Sequence, residues 1–461
     1  MKDAGKRRER EQKELQALKK RRDAKPYRGY MAVIFVLITA VYVIDEVSSN
    51  IRTNLQSSIV NDFFVNGQGL TYGEGLSKLS SLTLVSLVFM IVNPFYKALA
   101  DKYGRKPFLV INTLGMAVGL VLGLFSTSYP IYVLGTVLTT FFISHDMQVT
   151  YAMEIAPADK RATFFSVTKC VANVGLAIVP LSRWIFMGND DSRWRLVFII
   201  PAVLGLAIVV CCIIFARETP TYLNQRIALL EKPYEQRLAE SEEAKKNKKV
   251  DEGKTGIVAG WKYTIQHKPL RMVMLSGILG AMGVLATTTY YESIMRESGM
   301  TTESITTALF FYPFIYAILL LVDGFLSDRF GRKPVIAITT TIASVSLVLF
   351  IVGCRAGWSE YVVGFLQGLY LSSFYQSSDH GSIQLTEYLP TRIRISASSA
   401  MGIPGGIAMI AGMVLCIVLL NFMPVHIMVL VLALPTLIIP TIVRLIYLPE
   451  TRGVDLDQVQ G

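Results

Sequence analysis

Long apolar stretches alternate with shorter polar stretches along most of the chain. Each apolar stretch is close to the roughly 20 residues that an α-helix needs to cross a bilayer core. Twelve spans are predicted, at residues 30–50, 80–96, 108–127, 131–153, 162–184, 195–216, 271–293, 305–326, 335–352, 358–386, 395–420 and 424–447. The pattern therefore predicts an all-α membrane protein with twelve transmembrane helices.

Polar segments interrupt this pattern and indicate the domain organisation. Residues 1–29 are dense in Lys, Arg and Glu, and residues 217–270 are polar and charged. An even number of spans places both termini on one side of the membrane. The predicted order is a basic cytosolic arm at 1–29, a six-helix bundle at 30–216, a cytosolic linker at 217–270, a second six-helix bundle at 271–447 and a cytosolic tail at 448–461.

Composition and charge agree with this interpretation. The 461 residues are 52% hydrophobic and 17% charged, whereas soluble domains have about 25% charged residues. The net charge of +11 could suit a nucleic-acid partner, but the basic residues concentrate in the N-terminal arm and in alternate loops. The outer loops carry few of them, chiefly Arg52, Arg193, Arg296 and Arg355. This asymmetry is typical of membrane topology, so a lipid bilayer is expected and nucleic acid is not.

The sequence carries no signature of an enzyme. The five cysteines fall in or beside apolar stretches without the spacing of a metal site, and no nucleotide-binding loop or nucleophile elbow occurs. We therefore expect no cofactor and no metal. Short loops and the lack of an Asn-X-Ser/Thr sequence favour a bacterial inner membrane. A monomer with cytoplasmic termini is expected.

One short motif occurs twice, each time between two apolar stretches. Residues 98–107 read ALADKYGRKP, and residues 324–334 read GFLSDRFGRKP. Because so short a gap returns the chain to the same side, each copy predicts a hairpin of two membrane helices with a basic turn. A glycine suits the sharp bend in each turn.

A second motif supports duplication of the whole chain. Glu154, Pro157 and Arg161 recur as Glu387, Pro390 and Arg394, with a constant shift of 233 positions. The stretch 217–220 is echoed loosely by 449–452. Parallel repeats of six spans are what alternating access requires, since two similar bundles can rock about a site at the membrane midplane.

Both motifs resemble those of the major facilitator superfamily, and the Glu-Pro-Arg spacing with the ending at 449–453 is similar to that of sugar porters. The resemblance implies a two-bundle transporter with two clusters of gate residues at the cytosolic face. The implied gate residues are Asp101, Arg105, Glu154, Arg161, Asp328, Arg332, Glu387 and Arg394. The first copy departs from the family pattern at Lys97, where glycine is usual.

The predicted substrate differs from that of the sugar porters. These proteins carry paired glutamines and an asparagine in span 7 that bind sugar hydroxyls, whereas this chain has Gly280, Ala281 and Ala286 there. Ser382 replaces the tryptophan expected in span 10. The hydroxyl-binding side chains are therefore missing from these positions, and the sequence argues against a sugar as the substrate.

Ionisable residues within the predicted spans are candidates for proton coupling. They are Asp45, Glu46, His145, Asp146, Asp379 and His380. Asp146 and Asp379 are repeat mates, and a carboxylate at such a depth is costly unless it faces a cavity, where it readily holds a proton. Asp45 is favoured as proton carrier because similar family members place an aspartate in span 1. Buried structural pairing is the alternative for the whole set, and helix packing for the histidines.

Other polar side chains suggest the solute. Lys169 could bind an anion or neutralise Glu154 or Asp146. Aromatic rings that could line the path include Tyr42, Tyr151, Tyr290, Tyr291 and Tyr375. The sequence predicts a proton-coupled transporter of a small organic or aromatic acid. Three alternatives stay open: a proton-driven exporter of organic cations or drugs, a sugar:proton symporter and a non-transporting membrane sensor.

Overall fold

The computed structural model describes residues 2–24, 28–143, 147–156, 161–232, 236, 257–390 and 394–453, and these residues form no β-strand. Spans 1 to 6 are formed by the helices Tyr30–Asn54, Tyr72–Tyr103, Arg105–Leu124, Tyr129–Ile143 with Met147–Ile155, Arg161–Gly175 with Ile178–Phe186, and Asp191–Phe198 with Ile199–Phe215. Spans 7 to 12 are formed by Lys268–Thr289 with Tyr291–Glu297, Thr302–Leu309 with Phe311–Phe330, Arg332–Arg355, Glu360–Tyr388, Arg394–Leu419 and Val425–Tyr447.

Each predicted span thus corresponds to one helix or to two consecutive helices. Nine helical segments in the described ranges are long and apolar enough to cross a membrane. Spans 2, 4 and 10 are not among the nine, and parts of spans 2 and 4 lie outside the described residues that this criterion covers. Span 10 is rich in polar residues, including Gln367, Asp379 and His380, and many of its side chains are buried. Polar spans of this kind are stable in a bilayer when their polar groups face protein or a cavity.

We name spans 1–6 the N-terminal half and spans 7–12 the C-terminal half. Within each half the helices pack in pairs, for example span 3 on spans 4 and 6, and span 9 on span 10. The two halves meet where span 5 packs on span 8 and where span 2 packs on span 11. A surface of exposed Val, Ile, Leu and Phe side chains surrounds both halves, as expected for contact with lipid.

The two ends of the helices define two faces. We name the end where span 1 begins and span 12 ends the terminal face, and the other end the opposite face. At the terminal face, the helix Lys2–Asp23 packs on the helix Pro220–Glu231 of the predicted linker. Leu18 joins an apolar cluster with three residues of that helix, and Arg226 forms an ion pair of 2.9 Å with Glu14. The arm is therefore docked on the linker by both apolar and charged contacts.

Candidate functional site

Two of the predicted gate residues of the N-terminal half, Arg105 and Glu154, meet at the terminal face. The side chain of Arg105, at the start of span 3, donates from Nε to Oε1 of Glu154 over 3.1 Å and from Nη1 to the carbonyl of Ala100 over 3.0 Å. The hydroxyl of Thr219 donates to the second carboxylate oxygen of Glu154 over 2.6 Å. The side chains of Asp101 and Arg161 lie outside the described part of the chain.

The C-terminal half repeats this arrangement. Arg332 at the start of span 9 donates to both carboxylate oxygens of Glu387, over 3.0 and 3.3 Å, and to Asp328 over 2.9 Å. Thr451 donates to Glu387 over 2.6 Å, as Thr219 does to Glu154. The arrangement brings three of the four predicted gate residues of this half together. The fourth, Arg394, donates instead to the carbonyl of Leu389.

The similar stretches 217–220 and 449–452 have the same structural role in the two halves. Glu218 accepts hydrogen bonds from the backbone N–H groups of Arg105 and Lys106, the first residues of span 3. Glu450 accepts from the first two N–H groups of span 9 in the same way, over 2.7 and 2.9 Å. The unpaired N–H groups at a helix start attract a carboxylate. The glutamate after each half therefore ties that half's end to its central hairpin.

The hydrogen bonds of this cap lower the pKa of the Glu450 carboxyl group. Burial raises its pKa, but the backbone N–H groups of Arg332, Lys333, Arg452 and Thr451 donate to it, and the net pKa lies below the ordinary value. A lowered pKa in the folded state means that the charged form stabilises the fold. This stabilisation is complete above the ordinary glutamate pKa of about 4.3 and is lost as the pH falls through the folded-state pKa.

We expect Glu450→Gln to lower the melting temperature by about 1–3 °C at pH 7, because it removes the negative charge at the start of span 9. Thermal unfolding of the purified chain in detergent measures this effect. The difference between the two proteins should shrink as the pH falls below the ordinary glutamate pKa of about 4.3 and through the lower folded-state pKa of Glu450, because Glu450 then becomes protonated. A difference that is independent of pH would show that the charge is not what stabilises the cap.

A buried ion pair at the opposite face joins the two halves, and no motif in the sequence indicates it. Arg183 of span 5 and Glu292 of span 7 are fully buried, with 3.8 Å between Nη1 and Oε1. Glu292 also accepts from the backbone N–H and the hydroxyl of Ser57, over 2.7 and 2.5 Å. Arg183 donates to Thr306 of span 8 over 3.1 Å and to the carbonyl of Asn54.

Further bonds between the halves surround this pair. Arg296 of span 7 forms an ion pair of 2.5 Å with Asp191 at the start of span 6. Asn54 donates to the hydroxyl of Tyr291 over 3.2 Å, and the Tyr290 hydroxyl donates to Ser80 of span 2 over 3.0 Å. These two predicted path tyrosines are thus buried and occupied in closing the opposite face. We name the group formed by Arg183, Glu292, Arg296 and Asp191 the opposite-face latch.

Between the two faces, charged and aromatic side chains of both halves come together. Lys169 of span 5 acts electrostatically on the carboxylate of Asp379 in span 10, whose side chain is exposed. Glu46 of span 1 and Asp379 act on Tyr316 and Tyr375, the rings of which lie 5.8 Å apart. An exposed carboxylate within electrostatic reach of a lysine of the other half lies beside the space between the halves. We name this group the central site.

Buried amide side chains lie on the same helix faces as the charged residues of the central site. Asn173 follows Lys169 by four positions and Gln376 precedes Asp379 by three, so each pair shares a helix face. Nδ2 of Asn173 and Nε2 of Gln376 are buried without a hydrogen-bond partner in the described ranges. Their unused donors are suited to the oxygen atoms of a polar solute.

The remaining predicted residues are placed as follows. Asp45 and Tyr42 of span 1 are buried, and Tyr151 is buried with its hydroxyl donating to the carbonyl of Arg217 over 2.5 Å. His380 is buried, and neither ring nitrogen has a hydrogen-bond partner among the described residues. The predictions for His145 and Asp146 lie outside the described residues.

A further intramembrane carboxyl group, besides Glu292, has no place in the sequence predictions. Asp323 of span 8 is 5% exposed, and its Oδ2 has no hydrogen-bond partner in the described part of the chain. The signal was available, since an aspartate stands inside the apolar segment 305–326. In the described ranges no group of three His, Cys, Asp or Glu side chains is arranged to hold a metal ion.

Comparison with known proteins gives one family across the chain. The sequence model of the family described as "Sugar (and other) transporter" matches residues 30–461. A glucose transporter of Staphylococcus epidermidis is 21% identical over 78% of this chain and 83% of its own length. A proton myo-inositol cotransporter of Caenorhabditis elegans is 26% identical over 62% of this chain and 50% of its own length. A tetracycline resistance protein, class H, of Pasteurella multocida is 26% identical over 40% of this chain and 44% of its own length.

Solved structures share the fold. The crystal structure of a D-xylose-proton symporter has a TM-score of 0.68 with 15% identity, over 92% of this chain and 99% of that chain. The inward-open conformation of the xylose transporter from E. coli has a TM-score of 0.63 with 17% identity, over 93% of this chain and 98% of that chain. This likeness confirms the all-α, twelve-helix major facilitator fold that the sequence predicts.

Proposed function

The chain belongs to the sugar (and other) transporter family of the major facilitator superfamily, and from that premise we propose that it carries a sugar or polyol together with a proton. Family membership makes the chain a multi-pass membrane transporter rather than an enzyme. The comparisons favour the sugar:proton alternative over the organic acid predicted from the sequence. The single observation that carries the proposal is the match of the family model over residues 30–461.

The central site supports a solute rich in hydroxyl groups. Span 7 lacks the amides that sugar porters use, but buried amides in spans 5 and 10 have hydrogen-bond donors with no partner among the residues that the structure describes. Asn173 belongs to the N-terminal half and Gln376 to the C-terminal half, so a solute bound by both amides would be held by the two halves at once. A neutral polyol satisfies such donors without introducing a further charge.

The charged pair of the central site supports proton coupling. Asp379 is exposed and within electrostatic reach of Lys169, so its charge state can respond to both water access and the position of Lys169. Glu46 of span 1 acts on the same tyrosines and is the second candidate. In the proposed cycle a proton on Asp379 releases Lys169, and the loss of the proton restores the pair.

The distribution of contacts supports an inward-facing state. Each terminal-face cluster is built within one half, whereas the latch residues Arg183 and Glu292 join the halves at the opposite face. With the basic terminal face in the cytoplasm, the central site is reached from inside the cell. We further propose a bacterial inner membrane, cytoplasmic termini and a monomer, as the sequence suggests.

A transport assay tests this function. The purified chain in proteoliposomes, given an inward-acting proton gradient, is expected to accumulate at least one of glucose, xylose and myo-inositol. Gln376→Leu should raise the KM for that solute roughly tenfold, because one hydrogen bond to the solute is lost. Thr386→Val, an exposed position at the terminal end of the same span, serves as the matched control. Accumulation of benzoate with no uptake of any sugar or polyol would contradict the proposal.

Proton-driven drug export is the second candidate function. The likeness to the tetracycline resistance protein covers 40% of this chain and is the observation that favours it. The acidic groups Glu46 and Asp379 would suit an organic cation. Adding tetracycline to the same proteoliposomes with the gradient reversed separates the two functions, since only an exporter would move the drug against its concentration.

A further inference from the structure

A cavity inside the C-terminal half holds an arginine that has no counter-ion among the described residues. The cavity measures about 270 Å³ and lies between spans 7, 9, 10 and 12. It shares no lining residue with the central site, and its lining includes Gly280 and Ala281, where sugar porters carry glutamines. Arg444 of span 12 reaches into it, three residues before the helix ends at Tyr447. The guanidinium makes no ion pair or side-chain hydrogen bond with the described part of the chain, and no Asp or Glu is among the described lining residues.

The arginine is positioned by a close approach between helices. A Cβ atom on Gly381 of span 10 would lie 1.4 Å from Nη1 of Arg444, so the guanidinium packs where only a glycine leaves room. An arginine stays charged in proteins, and a cation within a membrane span is costly without a partner. The close packing of the guanidinium on Gly381 and the absence of a partner in the described ranges together indicate that an anion from outside the chain completes this site.

Hydroxyl groups complete the lining. The Thr340 hydroxyl is bonded to Ser377 over 2.6 Å and to Thr441 over 3.1 Å, and all three residues line the cavity with Arg444. Each hydroxyl can turn its proton toward an oxyanion, and a guanidinium binds two oxygens of one phosphate group in parallel. Lys268, stacked 5.9 Å above the Tyr447 ring, adds positive charge where spans 7 and 12 meet the terminal face.

We propose that this cavity binds a phosphate group, and that the bound group bridges span 12 to spans 9 and 10. The phosphate comes either from free inorganic phosphate or from the headgroup of an anionic phospholipid at the terminal face. Either source would hold the C-terminal half together as one rigid body during transport. The proposal concerns the Arg444 cavity rather than the central site, and its test uses phosphate and phospholipid rather than the transported solute.

Binding to the purified full chain tests the proposal. Inorganic phosphate is titrated calorimetrically into the delipidated protein, and native mass spectrometry compares retained phosphatidic acid with retained phosphatidylcholine. The wild type is expected to bind one of the two phosphate sources. Arg444→Met and Gly381→Ala should each weaken that binding by about tenfold or more, since the first removes the charge and the second displaces it.

Two further variants test whether the cavity hydroxyls bind the phosphate group together with Arg444, rather than the positive charge alone. Thr340→Val should weaken phosphate binding several-fold, whereas Thr341→Val, an exposed neighbour on the same helix, should leave it unchanged. Phosphate binding without phosphatidic acid retention assigns the free anion, and the reverse assigns the lipid. No binding of either by the wild type, or equal binding by wild type and Arg444→Met, overturns the proposal.

Discussion

Glu292→Gln is expected to open the opposite face. The substitution leaves Arg183 fully buried beside a neutral amide, and an uncompensated charge of this kind costs about 3 kcal/mol or more. Because the cost falls only on the closed state, the population with an open face should rise about 100-fold. The measurement is the modification rate of Ser293→Cys by a membrane-impermeant maleimide, in a chain whose five native cysteines are replaced by alanine.

Two companion variants make this result specific. Glu297→Gln removes a carboxylate that pairs with His426 inside the C-terminal half, so the modification rate should stay unchanged. Arg183→Met combined with Glu292→Leu removes both charges and should restore slow modification, because a neutral pair leaves no unpaired charge. Equal rates in the wild type and Glu292→Gln would show that the buried pair does not hold this face closed.

Asp379→Asn is expected to abolish solute accumulation driven by a proton gradient. One coupled proton supports about tenfold accumulation for each unit of pH difference, and asparagine cannot carry that proton. Solute exchange between equal internal and external pools should continue, since asparagine still offers hydrogen bonds. Proteoliposome uptake with and without an imposed gradient measures both activities.

Asp328→Asn at the terminal face is the matched control for Asp379→Asn. Its carboxylate is largely exposed, and Arg332 keeps its contacts with Glu387 when Asp328 is neutralised. Transport should slow, while the accumulation ratio and the solute affinity stay within a few-fold of the wild type. Full accumulation by Asp379→Asn would remove Asp379 from the coupling pathway, and Glu46→Gln would then be the variant to measure.

Much of the fold could be predicted because membrane helices are specified locally. A stretch of apolar residues long enough to cross the bilayer has few other stable conformations. The main differences concern helix ends, since span 2 runs from Tyr72 to Tyr103 rather than over 80–96. A capping box closes its start, with Thr71 and Glu74 bonded to each other's backbone N–H groups. A pattern of apolar residues does not detect a first helical turn that is polar.

The terminal-face clusters could also be predicted, because a motif records them twice. Arg105 with Glu154 and Arg332 with Glu387 are paired as the resemblance implies. The capping role of Glu218 could not be read from the sequence, since it depends on where the chain after span 6 meets the start of span 3. Only the folded structure shows which N–H groups at a helix start lie close enough to donate to this carboxylate.

The opposite-face latch could not be predicted from the sequence either, because its contacts also depend on how distant parts of the chain pack together. Arg183 and Glu292 are far apart in the sequence and occur in no repeated motif. From the sequence, Arg296 is expected in an outer loop, whereas the structure pairs it with Asp191. An arginine inside the apolar segment 162–184 was the available signal, because a charge at such a position needs a partner. The identity of that partner follows only from the packing of the two halves.

Reciprocal motion of the two faces is the central claim, and one pair of distances tests it. Spin labels at Arg193 and Ala356 report on the opposite face, and labels at Lys102 and Arg329 report on the terminal face; all four positions are exposed. When the transported solute is added at saturating concentration, the first distance is predicted to lengthen in part of the population while the second shortens. If both distances stay fixed, or both change in the same direction, the two halves do not alternate and the proposed mechanism is wrong.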